Sequence, residues 1–411
     1  ELLLSRETVY DLLGKREAQV EDLATMASLA EGVDTKQQGE LALRQANHAE
    51  VTNNFSVAIA TAQQAIRLGQ IAQEAGLETR GQLLWGRVLW RQGEFDAACA
   101  HFEQALALAQ GAASHNLEAE SLHALGAVCR TRGDYLTARH YHDQAVRIWR
   151  EIEDQRGEGM ALNSMGIVCR LQGDSVAARQ YHQQALLISR QIGDRQHEGA
   201  ALHNLGLVFR IERNFSEALT CYQQALDIAI EIGARLFESY TVNSLGSILC
   251  AQGDYAEAKR YYEQSLRIKQ ELGDRPAQAS TLGNLGVVSR SLGDYVTAKS
   301  CFEQSLCLFR DVGDRQGETI CLADLGLLYH CLGDDLAAVE NARRAVQMAQ
   351  ELGHRSNQAE ALLNLGRAEL SLRHLAEATS AFRQAQALFR ELSKHGISDK
   401  PCVSVHNHLS G

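Results

Sequence analysis

The sequence predicts an all-α solenoid, a stack of antiparallel helix pairs, and three observations carry that prediction. Glycine stands at residues 86, 126, 166, 206, 246, 286, 326 and 366, each 40 residues after the last. Alanine follows twelve residues later every time, at 98, 138, 178, 218, 258, 298, 338 and 378. Nineteen residues after each glycine comes Ala or Ser, from Ala105 to Ala385, and the register reaches back to Ala46, Ala58 and Ala65. A period of this length marks a repeat architecture, in which a unit buries its apolar face only against its neighbours.

The first segment, residues 1–38, reads as an N-terminal helical cap or partial repeat. Residues 7–30 are helical in pattern, and Ala18 falls in register with the second helix of a repeat. Nine repeats of 40 residues then cover 39–398. In the repeat 159–198, Leu162, Met165, Gly166, Val168 and Cys169 follow helical spacing. The turn Gln172-Gly173-Asp174 comes next. Ala178, Tyr181, Ala185, Leu186 and Ile188 then mark a second amphipathic helix. It ends at Gly193, where glycine suits a left-handed position after a helix. Glu198 opens the next helix, and Glu118, Glu158, Glu238 and Glu318 repeat that placement at the positive end of the helix dipole. The recurring Gly and Ala remove bulk where two helices cross, so the backbones are expected to approach closely while Tyr and Phe fill space elsewhere. Ser265 and Ser305 break the alanine series and mark candidate weak points. Residues 399–411 carry no helical period and are expected to form a mobile tail.

Composition narrows the function. The 411 residues are 45% hydrophobic and 22% charged, which is globular. With 33 glycines but only 2 prolines and no Gly-X-Y period, the chain is not collagen-like. The net charge of −11, from 40 basic and 51 acidic residues, makes nucleic acid a poor partner. No apolar run approaches the roughly 18 residues of a membrane-spanning helix, so no membrane partner is expected. No secretory leader precedes the first predicted helix. The chain begins on Glu1 rather than Met, so it is expected to be a fragment or a processed chain. Ten cysteines, none in a C-x-x-C pair, fit reduced thiols packed in a cytoplasmic protein.

The run Leu205-Gly206, Asn214-Phe215-Ser216-Glu217-Ala218, Tyr222 and Ala225-Leu226 resembles the tetratricopeptide repeat, and the resemblance extends over nearly 90% of the chain. It implies a right-handed superhelical α-solenoid whose first helices line a concave, protein-binding groove. The proline that often ends a 34-residue unit is missing, and Arg150 and Arg190 stand there. The loops Ile192-Gly193-Asp194-Arg195 and Leu272-Gly273-Asp274-Arg275 look like those of the 40-residue variant. That variant is found in Pins/LGN spindle-orientation proteins, kinesin light chains and bacterial signalling sensors.

Catalytic motifs are missing. Gly14-Lys15 lacks the rest of a phosphate loop, and no G-x-S-x-G elbow occurs. His197 and His203 are six residues apart, which is the wrong angle for a zinc pair on one helix face. His142 and His182 stand one repeat apart at the second-helix aromatic site and read as packed core. No catalytic residues, metal or cofactor are therefore expected, and the chain is not expected to be an enzyme.

The candidate site is the first-helix face. His123, Asn163, His203 and Asn243 form one series on it, and Arg130, Arg170, Arg210 and Arg290 form a second. Each His or Asn of repeats 119–238 lies seven residues before the Arg of its own repeat, hence on one face. Asn204 and Asn284, with Asn364, add amides able to bond a peptide backbone in both senses. Arginine presents a donor fork matched to carboxylates. Between the two series lie Ala127, Ile167, Leu207, Ser247, Val287 and Leu327, which make the face partly apolar. The expected partner is an extended, acidic and apolar peptide or protein segment, held by a non-catalytic scaffold. The alternative is a sensor or regulatory module of a larger signalling protein carrying an ATPase, protease or transcription domain.

Overall fold

Every repeat folds as the two helices that its apolar spacing demands. The computed structural model describes residue 6 and residues 16–29 and 34–394, and nineteen helices occur among them. After α1 (Arg16–Leu29), first and second helices alternate strictly. The first helices are α2 (Thr35–Val51), α4 (Ala75–Gln92), α6 (His115–Thr131), α8 (Gln155–Leu171), α10 (Arg195–Ile211), α12 (Arg235–Gln252), α14 (Arg275–Ser291), α16 (Arg315–Cys331) and α18 (Arg355–Ser371). The second helices are α3 (Phe55–Ala72), α5 (Phe95–Gly111), α7 (Tyr135–Glu151), α9 (Ser175–Ile192), α11 (Phe215–Glu231), α13 (Tyr255–Glu271), α15 (Tyr295–Val312), α17 (Asp335–Leu352) and α19 (Leu375–Lys394). No strand occurs among the described residues, and the fold is the expected all-α solenoid of antiparallel pairs. Residues 7–15 of the expected cap and the tail at 399–411 lie outside the described residues.

The described residues divide into two compact units, the first ending at Glu212 and the second beginning at Arg213. In each, one core layer joins neighbouring repeats. In the first unit, Leu83 of α4, Ala98, Phe102 and Ala105 of α5, and Leu125 and Val128 of α6 form one cluster. In the second unit, Ala298 and Phe302 of α15 meet Leu325 and Leu328 of α16 in the same way.

In six of the first helices the recurring glycine has a different task from the one expected of it. Rather than bringing backbones together, it receives a ring from the second helix. A Cβ built on Gly86 would lie 2.5 Å from Phe102, on Gly126 2.6 Å from His142, and on Gly166 2.5 Å from His182. Gly246 faces Tyr262, Gly286 faces Phe302 and Gly366 faces Phe382 in the same manner. At Gly326, where Ala342 replaces the ring, the nearest neighbour is instead backbone, the Ala338 oxygen at 3.2 Å. His142 and His182 are thus core residues, taking the ring position that Phe and Tyr hold elsewhere. Ser265 and Ser305, expected as weak points, are buried, and each donates to a carbonyl of the facing first helix, Ser239 O at 2.9 Å and Ala279 O at 2.7 Å.

Turn chemistry explains the Gly-Asp dipeptides. Gly173 and Gly193 adopt φ of +83° and +71°, closing one helix, and the following aspartate caps the next. Asp174 accepts from the Ala177 N–H at 3.0 Å and Asp194 from the His197 N–H at 3.1 Å. Such caps contribute about 1 kcal/mol each.

The residue standing where the shorter repeat has proline acts as a donor. Arg150, Arg190 and Arg310 reach eight residues ahead to Glu158, Glu198 and Glu318 at 2.6, 2.9 and 2.7 Å. The glutamates expected at helix N-termini therefore also tie one repeat to the next. A further ladder in the second unit pairs Arg235 with Glu271, Arg275 with Asp311, Arg315 with Glu351 and Arg355 with Glu391.

Candidate functional site

The first-helix face of the first unit carries the expected histidines and arginines, but they share charge unequally. His123 lies half-buried beside His142, ring centroids 4.9 Å apart, with Trp149 5.7 Å away. Burial, with the charges of Arg130 and His197 nearby, lowers the His123 pKa to about 4. Burial together with Arg170 lowers His182 to about 3 and His203 to about 4. At neutral pH these imidazoles are neutral, so the positive charge of the face resides on its arginines. Arg130 and Arg170 are half-buried and Arg210 is exposed.

The amides are partly committed to the fold. The Asn163 side-chain oxygen accepts from Asn204 Nδ2 at 3.1 Å and lies 2.7 Å from His182 Nδ1. Asn163 therefore joins α8, α9 and α10, and its oxygen is occupied. In the second unit, Thr281 Oγ1 lies 3.4 Å from the Asn243 oxygen and accepts from the Lys269 ammonium at 2.7 Å. Asn364 donates to the Ala323 carbonyl at 3.0 Å. Asn284 is half-buried on α14. Arg290 closes the series, with its Nε buried and lacking a hydrogen-bond partner.

The sequence reading missed the carboxylates of this face. Burial raises the pKa of Asp324 on α16 to about 6, with Arg290 opposing the shift. Burial and the neighbouring Asp324 raise that of Glu360 on α18 to about 7. In the first unit burial likewise raises Glu120, against the pull of Arg87 and Arg80. One signal was available: Asp324 stands where Asn204, Asn284 and Asn364 stand in their own repeats. What these faces can do chemically is present arginine donors and desolvated carboxylates to an extended ligand, with apolar residues such as Ile167, Leu207 and Val287 between them.

Comparison with known proteins follows the same repeats. The sequence profile of the tetratricopeptide repeat matches residues 79–151, 157–231 and 237–311, together more than half of the chain. A second profile of that repeat matches residues 352–377. No curated protein sequence matches. Among solved structures, a Rap protein complexed with competence and sporulation factor is similar at a TM-score of 0.61 and 15% identity, over 88% of this chain and 99% of that one. The apo quorum sensor NprR from B. thuringiensis is similar at a TM-score of 0.62 and 16% identity, over 87% and 100%. The third is a signal transduction ATPase with a tetratricopeptide repeat sensor, PH0952 from Pyrococcus horikoshii. It matches at a TM-score of 0.64 and 15% identity, over 90% of this chain and 56% of that one. At these identities the likeness is one of fold.

Proposed function

This chain belongs to the tetratricopeptide repeat family, and we propose that it is a non-catalytic scaffold holding an extended peptide or protein segment on its first-helix faces. The observation that carries this reading is the arginine series of the first unit. Arg130, Arg170 and Arg210 repeat on successive first helices, while the histidines beside them stay neutral. A ligand carboxylate would meet positive charge at each step, and the apolar Ala127, Ile167 and Leu207 between them would take its apolar side chains. An acidic segment with interspersed apolar residues fits that alternation. The likeness to a Rap protein complexed with competence and sporulation factor supports a ligand-holding role.

The test is selection of ligands from a random peptide library displayed on phage, followed by affinity measurement on the full chain. Replacing Arg170 and Arg210 together by Ala is expected to weaken the best acidic peptide by about tenfold or more, as for charge-assisted hydrogen bonds. Affinity should also fall as salt rises. The melting profile should stay near that of the wild type. Unchanged affinity in a folded double variant contradicts the reading.

A second reading is favoured by the likeness to the Pyrococcus ATPase, of which the matched part is only 56%. There the repeats would serve as the sensor of a longer signalling chain, and the same face would hold the signal.

A further inference from the structure

Many charges of this protein are paired, and two carboxylates on the first-helix face of the second unit are not. On α16 and α18 themselves, Glu318 pairs with Arg310 at 2.7 Å, and Glu369 is held by Arg343 and by His374 at 2.8 Å. Asp324 and Glu360 lie on the same two helices, half-buried, and among the described residues neither carboxylate has a hydrogen bond or an ion pair.

Their placement is set by geometry. Glu360, Asn364 and Arg367 recur at four and three residues, so they share one face of α18. The Asn364 bond to the Ala323 carbonyl, 3.0 Å long, fixes that face beside Asp324. Arg367 leans back on Asn364, its Nη1 3.3 Å from the amide oxygen. On the other side stands Arg290 of α14, whose Nε is buried without a partner. Two carboxylates and two arginines thus meet on one face without neutralising one another by direct pairing.

Withdrawing a carboxylate from water without a partner is costly, and a bound cation removes that cost. A metal ion is a poor candidate, because no group of three His, Cys, Asp or Glu side chains able to hold one occurs among the described residues. An ammonium has three donors and a guanidinium a fork of five, and either can serve two carboxylates at once.

We propose that Asp324 and Glu360 form a subsite for a lysine or arginine side chain of the bound segment, with Arg290 and Arg367 receiving an acidic side chain or carbonyl next to it. This rests on the groove reading above and corrects its charge pattern for the second unit. A segment that meets α16 and α18 therefore carries a basic residue beside an acidic one. Protonation of the two carboxylates removes the attraction, so this part of the contact weakens on acidification. The other charged and titratable groups nearby are Arg290, Arg367 and Cys331, together with His330, which Asp335 engages at 2.7 Å.

The experiment uses the random phage-displayed peptide library, panned in parallel on the full wild-type chain and on the double variant Asp324→Asn/Glu360→Gln. The variant removes unpaired charge and is expected to melt no lower than the wild type. Wild-type pools should be enriched in Lys or Arg at a fixed spacing from acidic residues, and pools from the variant should lose the basic residue but keep the acidic ones. The best wild-type peptide should bind about tenfold more weakly at pH 5 than at pH 8, with a smaller change in the variant. Wild-type pools without a basic residue, or the same basic enrichment in both pools, overturn the subsite and leave the groove standing. Recovery of no peptide by the wild type overturns groove binding and the subsite together.

Discussion

Gly286→Ala is expected to destabilise the second unit, although alanine is the better helix former. A Cβ at this position lies 2.5 Å from Cε1 and 2.6 Å from Cδ1 of Phe302. The ring is fully buried and packs with Ala298, Leu325 and Leu328, so it has no room to withdraw. Overpacking of this kind costs about 1–3 kcal/mol. Helix propensity returns at most about 1 kcal/mol. Gly283 lies one turn earlier on the same helix and provides the control. Its added Cβ would meet only Ser305 Oγ, at 3.6 Å. Gly283→Ala is therefore expected to be neutral or mildly stabilising. Denaturant unfolding of both variants checks the contrast, and equal effects would show that glycine at the crossing serves something other than the ring.

Lys269→Met is expected to act in the opposite direction. Lys269 is 2% exposed, at the second-helix position where Trp149 and Phe309 stand in other repeats. Its ammonium donates to Thr281 Oγ1 at 2.7 Å and lies 5.5 Å from the centre of the Tyr240 ring. Burial nonetheless lowers its pKa to about 8, with Asp274 opposing the shift. The unfolded chain therefore binds the proton more tightly than the native one does. Stability is reduced by the full penalty below pH 8, and the penalty fades as pH rises towards the ordinary lysine value. A shift of this size corresponds to about 3 kcal/mol at most. Methionine has similar volume and no charge, and Thr281 keeps its bond to the Ala277 carbonyl at 2.9 Å. The variant should gain about 1–3 kcal/mol at pH 7 and lose most of that advantage above pH 10. A gain that does not shrink with pH would assign the effect to packing rather than to charge.

The repeat period and the helix pairs were legible in the sequence because each depends on residues close together or on a fixed register. Gly193 and Asp194 announce a helix end and a helix start within two positions, and the structure uses both. Pairings between repeats were not legible. Nothing local in Arg150 points to Glu158, and nothing in Gly126 points to the imidazole of His142. The place of the candidate residues on the first helices was legible, and their chemistry less so. Asn163 stands on the predicted face, yet its oxygen serves Asn204 and His182. The histidines of the series occupy the predicted positions, and their lack of charge is a property of burial. Asp324 looked like one more polar residue in an asparagine series, because an unpaired carboxylate is recognised only once its neighbours are known.

The central claim is that the ligand lies on the first helices. It is tested most directly by photo-cross-linking the full chain to the best selected peptide, with a diazirine at its apolar positions, and mapping the adducts by mass spectrometry. Adducts are expected on Ala127, Ile167 and Leu207 of the first helices of the first unit. Adducts confined to the exposed apolar residues of the second helices, Leu136, Val176, Val296 and Leu336, would contradict it.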